Sequence, residues 1–213
     1  MRCRMLLGAG IITLGAVWLG PLPALAPRFF SAHMTMHMGV VAFAAPLISL
    51  GLAGGNYDPA RKFPRLFSAI QASIVELVVV WIWHAPTLHY AARHSTTGLM
   101  IEQGMFLAAG LLVWSSSLGG IPEKSRDRRA AGVVALLLTS MHMTLLGALL
   151  SLAPRPLYGH LLETSAGHSP LDEQHLGGTI MLGVGGVSYL AGGLWLSAGL
   201  LRRPGTPRRQ GVA

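Results

Sequence analysis

The chain has 213 residues, 52% hydrophobic and only 11% charged, with a formal net charge of +8. Soluble domains carry about 25% charged residues, so neither a soluble domain nor a nucleic-acid-binding surface is expected. The lone cysteine, Cys3, excludes an internal disulfide framework and any paired-cysteine redox or copper motif.

Apolar runs close to or above the roughly 18 residues needed to cross a bilayer recur along the chain. Six spans are predicted, at residues 5–20, 37–53, 67–84, 97–118, 130–153 and 175–201. The runs are too long, and too evenly apolar, for the alternating strands of a membrane barrel. The fold class is therefore all-α, a polytopic membrane helix bundle. The first run has its own alternative. Arg2 and Arg4, an apolar stretch and Ala24-Leu25-Ala26 look like a secretory signal, which would leave five spans after cleavage. Pro27 argues for a retained helix. The organisation expected is residues 1–26 as first span or signal-like segment, 27–201 as the helical bundle, and 202–213 as a basic tail.

Charge gives the sidedness. All but three of the 16 Lys and Arg residues (Arg28, Arg93 and Arg155) lie before the first span, between spans two and three, between four and five, or after span six. Short loops rich in Lys and Arg stay in the cytoplasm. Both termini are thus expected inside, in a bacterial inner membrane, and the net charge reflects this asymmetry. All nine histidines then fall on the outer face or within the outer half. The outer loop at 154–174 carries His160 and His168, each read as solvated.

In chain order, the chemistry starts at His33, Met34, Met36, His37 and Met38. His33 and His37 are four apart, so a helix puts them on one face. Imidazole and thioether together suit Cu(I), a soft ion. Met as flexible apolar filler and His as an interfacial anchor remain open readings. Span three carries Glu76 in the apolar run Ile74-Val-Glu-Leu-Val-Val-Val80. An acid at that depth faces the bundle interior or a water cavity. It serves either as a charge or proton partner or as an interhelical hydrogen bond. His84 ends the span. Pro86 disfavours helical geometry at Ala85, so the helix stops or kinks there and leaves carbonyls free near His84. Trp81 and Trp83 fit an interfacial aromatic belt.

Glu102, with Gln103, enters span four from outside and is the second candidate charge or proton partner. His142, between Met141 and Met143, lies in the middle of span five. It is either a buried ligand or a hydrogen-bond partner. Asp172 is a plausible N-cap for the last span. Glu173 and Gln174 follow in its first turn, then His175, and Gly177-Gly178 permits close packing. No nucleophile–base pair, phosphate loop, dinucleotide fingerprint or His-Glu-x-x-His helix is present, so no enzyme activity is expected.

The chain resembles the multi-span CtaG family of cytochrome c oxidase assembly factors of bacterial inner membranes. This family is distinct from the single-span copper chaperone that shares its name. The matching pieces are His33-Met34 with His37-Met38, Trp83-His84-Ala-Pro-Thr-Leu-His-Tyr90, Gly110 with Trp114, and Asp172-Glu-Gln174 with Gly178 and Met181. They run in order through spans two to six. In two places the chain departs from the pattern. Glu102 and Gln103 stand where a His is expected, and Leu182 where a Trp is expected.

The resemblance implies a non-enzymatic assembly factor with cytochrome c oxidase subunits as partners, supplying copper to the oxidase from the periplasmic side. The expected ligands are His33, His37, His84 and His142, assisted by Met36 and Met38. His175 would complete or gate the site, with Glu76 and Glu102 as charge or proton partners. Three other readings remain: a b-type haem-binding membrane protein, a copper transporter, and a scaffold for an oxidase subunit that handles no metal.

Overall fold

The structure, a computed structural model, describes residues 2–120, 125–158 and 169–201. Among these residues there are helices and turns but no strand. The chain begins with α1 (Arg2–Leu19) and the short α2 (Leu22–Leu25). The second rod is α3 (Phe30–Met38), a π-helical turn over Gly39–Ala44, and α4 (Ala45–Leu52). A single turn, α5 (Pro59–Lys62), precedes α6 (Ala69–Trp83), α7 (Pro86–His94), α8 (Thr96–Leu118) and α9 (Ser125–Ser151). The last rod is α10 (Pro170–Ile180), a π turn over Met181–Gly185, and α11 (Gly186–Leu201). Five rods are long and apolar enough to cross a membrane, and α6 with α7 makes a sixth, bent by 74°.

Lipid-like surroundings explain the distribution of side chains. Ile70, Ile74, Val75, Val78 and Ile82 of α6 are exposed, whereas Ser73 and Glu76 are buried. An apolar perimeter around a polar interior suits a bundle whose solvent is hydrocarbon. Close approach is made by glycines. A Cβ on Gly10 would meet Ile48, one on Gly39 would meet Val17, and one on Gly51 would meet Leu7. Those pairs show α1 running antiparallel along the second rod. Gly147 against Leu182 and Gly178 against Ser151 lock α9 to the last rod in the same way.

The π turn in the second rod has a cause in the sequence. Pro46 brings no N–H, and its ring crowds the carbonyl four residues back. That carbonyl, on Ala42, accepts from Ser188 Oγ instead (2.9 Å). One position earlier, the Val41 carbonyl accepts from Trp114 Nε1 (3.0 Å). Trp114 stacks on Tyr189, with ring centroids 5.0 Å apart, and the Tyr189 hydroxyl donates to Glu76 Oε1. The bundle's middle is thus a polar knot rather than a greasy plug.

Element bounds and one side-chain placement differ from the expected ones. The second rod starts at Phe30, seven residues before the expected boundary, which puts His33 inside the helix with His37. The last rod starts at Pro170, and its N-cap is Ser169 rather than Asp172. Asp172 is the reciprocal member of a capping box, its carboxylate accepting from Ser169 N and its own N–H donating to Ser169 Oγ. Trp83 is buried and donates to Met105 Sδ (3.3 Å), so only Trp81 sits at the surface as an aromatic belt would require. The segment with His160 and His168, and the basic tail from Arg202, lie outside the described residues.

The end of the bundle that carries the short basic loops is closed by Asp58. Its carboxylate accepts from Gly54 N (2.9 Å), Ala60 N (3.0 Å) and Gly120 N (2.8 Å). It thereby ties the loop after α4 to the loop after α8. Gly54 and Gly120 have φ of +72° and +107°, a conformation that favours glycine.

Candidate metal centre

At the opposite end, α3, α8 and the α6–α7 bend bring five titratable side chains together. The spacing of four along α3 stacks the rings of His33 and His37, with centroids 4.4 Å apart. From α8, Glu102 presents Oε1 to both, at 3.2 Å from His33 Nε2 and 3.6 Å from His37 Nε2. One ligand atom from each of His33, His37 and Glu102 lies within 4.8 Å of the others. All three residues are essentially inaccessible to solvent, at 0–1% exposure.

His84 and His89 complete the surroundings. Pro86 ends the helical geometry at Ala85 (ψ 136°), and α7 leaves at a sharp angle. The His84 ring then stands 5.8 Å from His37, and the His89 ring 4.9 Å from His33. His84 Nδ1–H donates to the Val80 carbonyl (2.7 Å), which turns Nε2 inward without a hydrogen-bond partner. The carbonyl of His84, freed by the bend, accepts from the Tyr158 hydroxyl (3.1 Å). Burial pushes the Tyr158 phenol up, so it stays neutral and available as that donor. Phe30, Tyr158 and Phe106 wall the cluster with aromatic rings. Arg93, four residues after His89 on α7, is buried and donates through Nη2 to the Pro27 carbonyl (2.8 Å).

A buried donor or acceptor left without a partner costs about 1–3 kcal/mol. Here His37 Nε2, His84 Nε2 and Glu102 Oε2 are all buried with no hydrogen bond among the described residues. A cation held among them would satisfy the orphaned atoms. Two imidazoles and a carboxylate form a donor set of intermediate softness, suited to copper or zinc.

The other expected site residues fall elsewhere. His142 is buried on α9 with neither ring nitrogen hydrogen-bonded, and it does not join the triad. Two hydroxyls one turn before it on the same helix are engaged elsewhere. Thr139 pairs with Ser73 (2.9 Å), and Ser140 donates to the Gly186 carbonyl (2.8 Å). The His175 Nε2–H donates to the Ala153 carbonyl (2.9 Å), closing the C-terminal end of α9. Glu76 belongs to the Tyr189–Trp114 knot. Met38 Sδ packs where Gly185 leaves room, and Met36 lines a cleft beside Trp18 and Gln103. Asp172, Glu173 and Gln174 are architectural. Glu173 accepts from Ser31 N and Oγ (3.1 and 2.8 Å), and Gln174 bridges Leu157 N and the Leu150 carbonyl (2.7 and 3.2 Å).

Two residues in the cluster had been passed over, His89 and Arg93. Their spacing of four within the helix opened by Pro86 is the signal that could have found them. The sequence points to Glu102 as a charge or proton partner, and the geometry makes it a direct contact of both α3 histidines.

No curated protein and no solved structure matches the chain. A family model, that of the cytochrome c oxidase caa3 assembly factor, matches residues 4–203. The match takes in every rod of the bundle and both ends of the His33–His37–Glu102 triad, and the chain belongs to the cytochrome c oxidase caa3 assembly factor family.

Proposed function

We propose that this protein matures a caa3-type oxidase by holding a copper ion as cargo at His33, His37 and Glu102, on the periplasmic side of the inner membrane. The observation that carries this reading is the convergence of His33, His37 and Glu102 at one end of the bundle, all buried and with ligand atoms within 4.8 Å of one another. His84 is the fourth ligand within reach, its inward Nε2 lacking any hydrogen bond. The sidedness rests on the basic loops, which gather at the other end around Asp58. The role is one of binding and release rather than catalysis, and the recipient is an oxidase subunit.

Haem is disfavoured by the packing. The rings of His33 and His37 meet edge to face, and Phe106 lies 4.2 Å from His37, so no macrocycle fits between these rings. A transporter would need ligands along the whole span, whereas the triad is confined to one end.

The test is metal analysis of the detergent-purified full chain after exposure to Cu(I). The wild type is expected to retain a single copper and to show no Soret band. His33→Ala with His37→Ala is expected to lose the copper, and a strain carrying that variant is expected to assemble copper-poor oxidase. A wild type that takes up no copper would overturn the reading. Reporter fusions placing Tyr90 in the cytoplasm would overturn its sidedness.

A further inference from the structure

The triad is sealed from the surface, so a cation that reaches it must pass something that moves. A cleft of about 350 Å³ between α1 and α8 leads towards it, lined among others by Trp18, Met36, Thr96, Leu99, Met100 and Gln103. Thr96 and Met100 are exposed at its mouth, while Met36 and Gln103 are buried at its floor. Gln103 is the partition. On one side its amide meets Trp18 Nε1 (Oε1, 3.3 Å), and on the other His37 Nδ1 (Nε2, 3.1 Å).

The chemistry of Trp18 fixes which way this partition faces. An indole N–H donates and cannot accept. It therefore holds the Gln103 oxygen towards α1 and turns the amide NH2 towards His37. His37 Nδ1 must accept, which leaves the ring's proton on Nε2, the atom facing Glu102. In this arrangement His37 offers no lone pair to a cation beside Glu102. A half-turn of the amide reverses the pattern. Gln103 Oε1 then accepts from an Nδ1–H, the same proton having moved from Nε2 to Nδ1, and the Nε2 lone pair faces the triad. That turn breaks the bond to Trp18, because two donors then face each other.

We infer that the α1–α8 cleft is the port through which a soft monovalent cation reaches the triad, with Gln103 as its gate and Trp18 as the latch. Thioethers at Met36 and Met100 give such an ion soft transient contacts on the way in. The inference rests on the copper reading above and adds the route and its control. The latch also gives α1 a part in the site, although that helix is otherwise little buried in the bundle.

The experiment is the rate of Cu(I) transfer from a chromophoric chelator to the full chain in detergent, with final stoichiometry read separately. Thr96→Trp, which fills the mouth, is expected to slow loading about tenfold, a rise of about 1.4 kcal/mol in the barrier, with the final copper content unchanged. Trp18→Phe, which removes the latch, is expected to load severalfold faster. An unchanged final copper content and an unchanged thermal midpoint in Trp18→Phe separate a lost latch from a loosened bundle. Wild-type loading with both variants at the wild-type rate would overturn the port while leaving the copper site standing. Slow loading of the wild type in lipid nanodiscs but not in detergent would mean that an acyl chain fills the cleft, which also overturns it. A wild type that takes no copper at all removes the site and the port together.

Discussion

Two buried carboxylates stand at the two ends of this bundle, and they are unalike. Asp58 and Glu102 are equally hidden from solvent, at 1% and 0% exposure. Asp58 is ringed by three main-chain N–H groups, each at hydrogen-bonding length. Main-chain donors cannot swing away, so that carboxylate is a fixed tie between two loops. Glu102 is ringed by imidazoles instead, and its Oε2 has no hydrogen bond. Its neighbours have lone pairs of their own and can turn. Burial alone therefore does not mark a candidate site; burial beside side chains that carry lone pairs and can turn does.

That contrast can be broken most severely at Asp58. Asp58→Ala removes the shared acceptor of three main-chain N–H groups, one buried and two half-buried, and is expected to destabilise the protein by about 3 kcal/mol, read by thermal unfolding in detergent. The folded fraction should keep its copper. If copper binding falls with the fold intact, the two ends are coupled and the contrast fails.

Glu102→Gln should do the opposite. It removes a poorly satisfied charge, so stability should shift by less than about 1 kcal/mol, while copper affinity drops by about tenfold or more. Isothermal competition with a Cu(I) chelator measures the second and chemical denaturation the first. A large loss of stability with copper affinity intact would make Glu102 another Asp58.

A smaller effect is expected at Tyr158. Tyr158→Phe leaves the His84 carbonyl without its donor and should cost about 1 kcal/mol, with a modest weakening of copper retention as the bend loosens. Equal copper retention and unchanged stability would remove Tyr158 from the support of the site. The smallest effect is expected for His142→Ala with His175→Ala. Copper stoichiometry should not change, because neither ring reaches the triad. A loss of copper in that pair would restore these two histidines to the ligand set.

The spans were legible because a bilayer demands long apolar runs, and the sequence has them. The pairing of His33 with His37 was legible because a spacing of four is a local rule of the helix. The bend at Pro86 was legible for the same reason, since proline restricts its predecessor. What could not be read was anything that depends on rotation between helices. Nothing local says that Glu102 of α8 turns towards α3, or that the bend returns His89 to the face of His33. The departure at Glu102, where the family pattern led to a His, looked like a missing ligand. The structure places the carboxylate where it touches both histidines. Helix ends were misplaced where a polar cap outweighed hydropathy. Ser169 and Asp172 form their box three residues upstream of the expected cap, and the acid carried by the box was mistaken for the cap itself. Asp58 was passed over among basic neighbours, although an Asp directly before Pro59 is a helix-start signature.

The central claim is that the two α3 histidines and Glu102 hold copper together. X-ray absorption at the copper edge of the loaded, full-length protein tests it most directly. The predicted spectrum has a first shell of nitrogen and oxygen with outer-shell scattering from at least two imidazoles, and His33→Ala with His37→Ala leaves no bound copper to give that signal. A sulfur-dominated shell, or an imidazole signal that survives in the double variant, would contradict it.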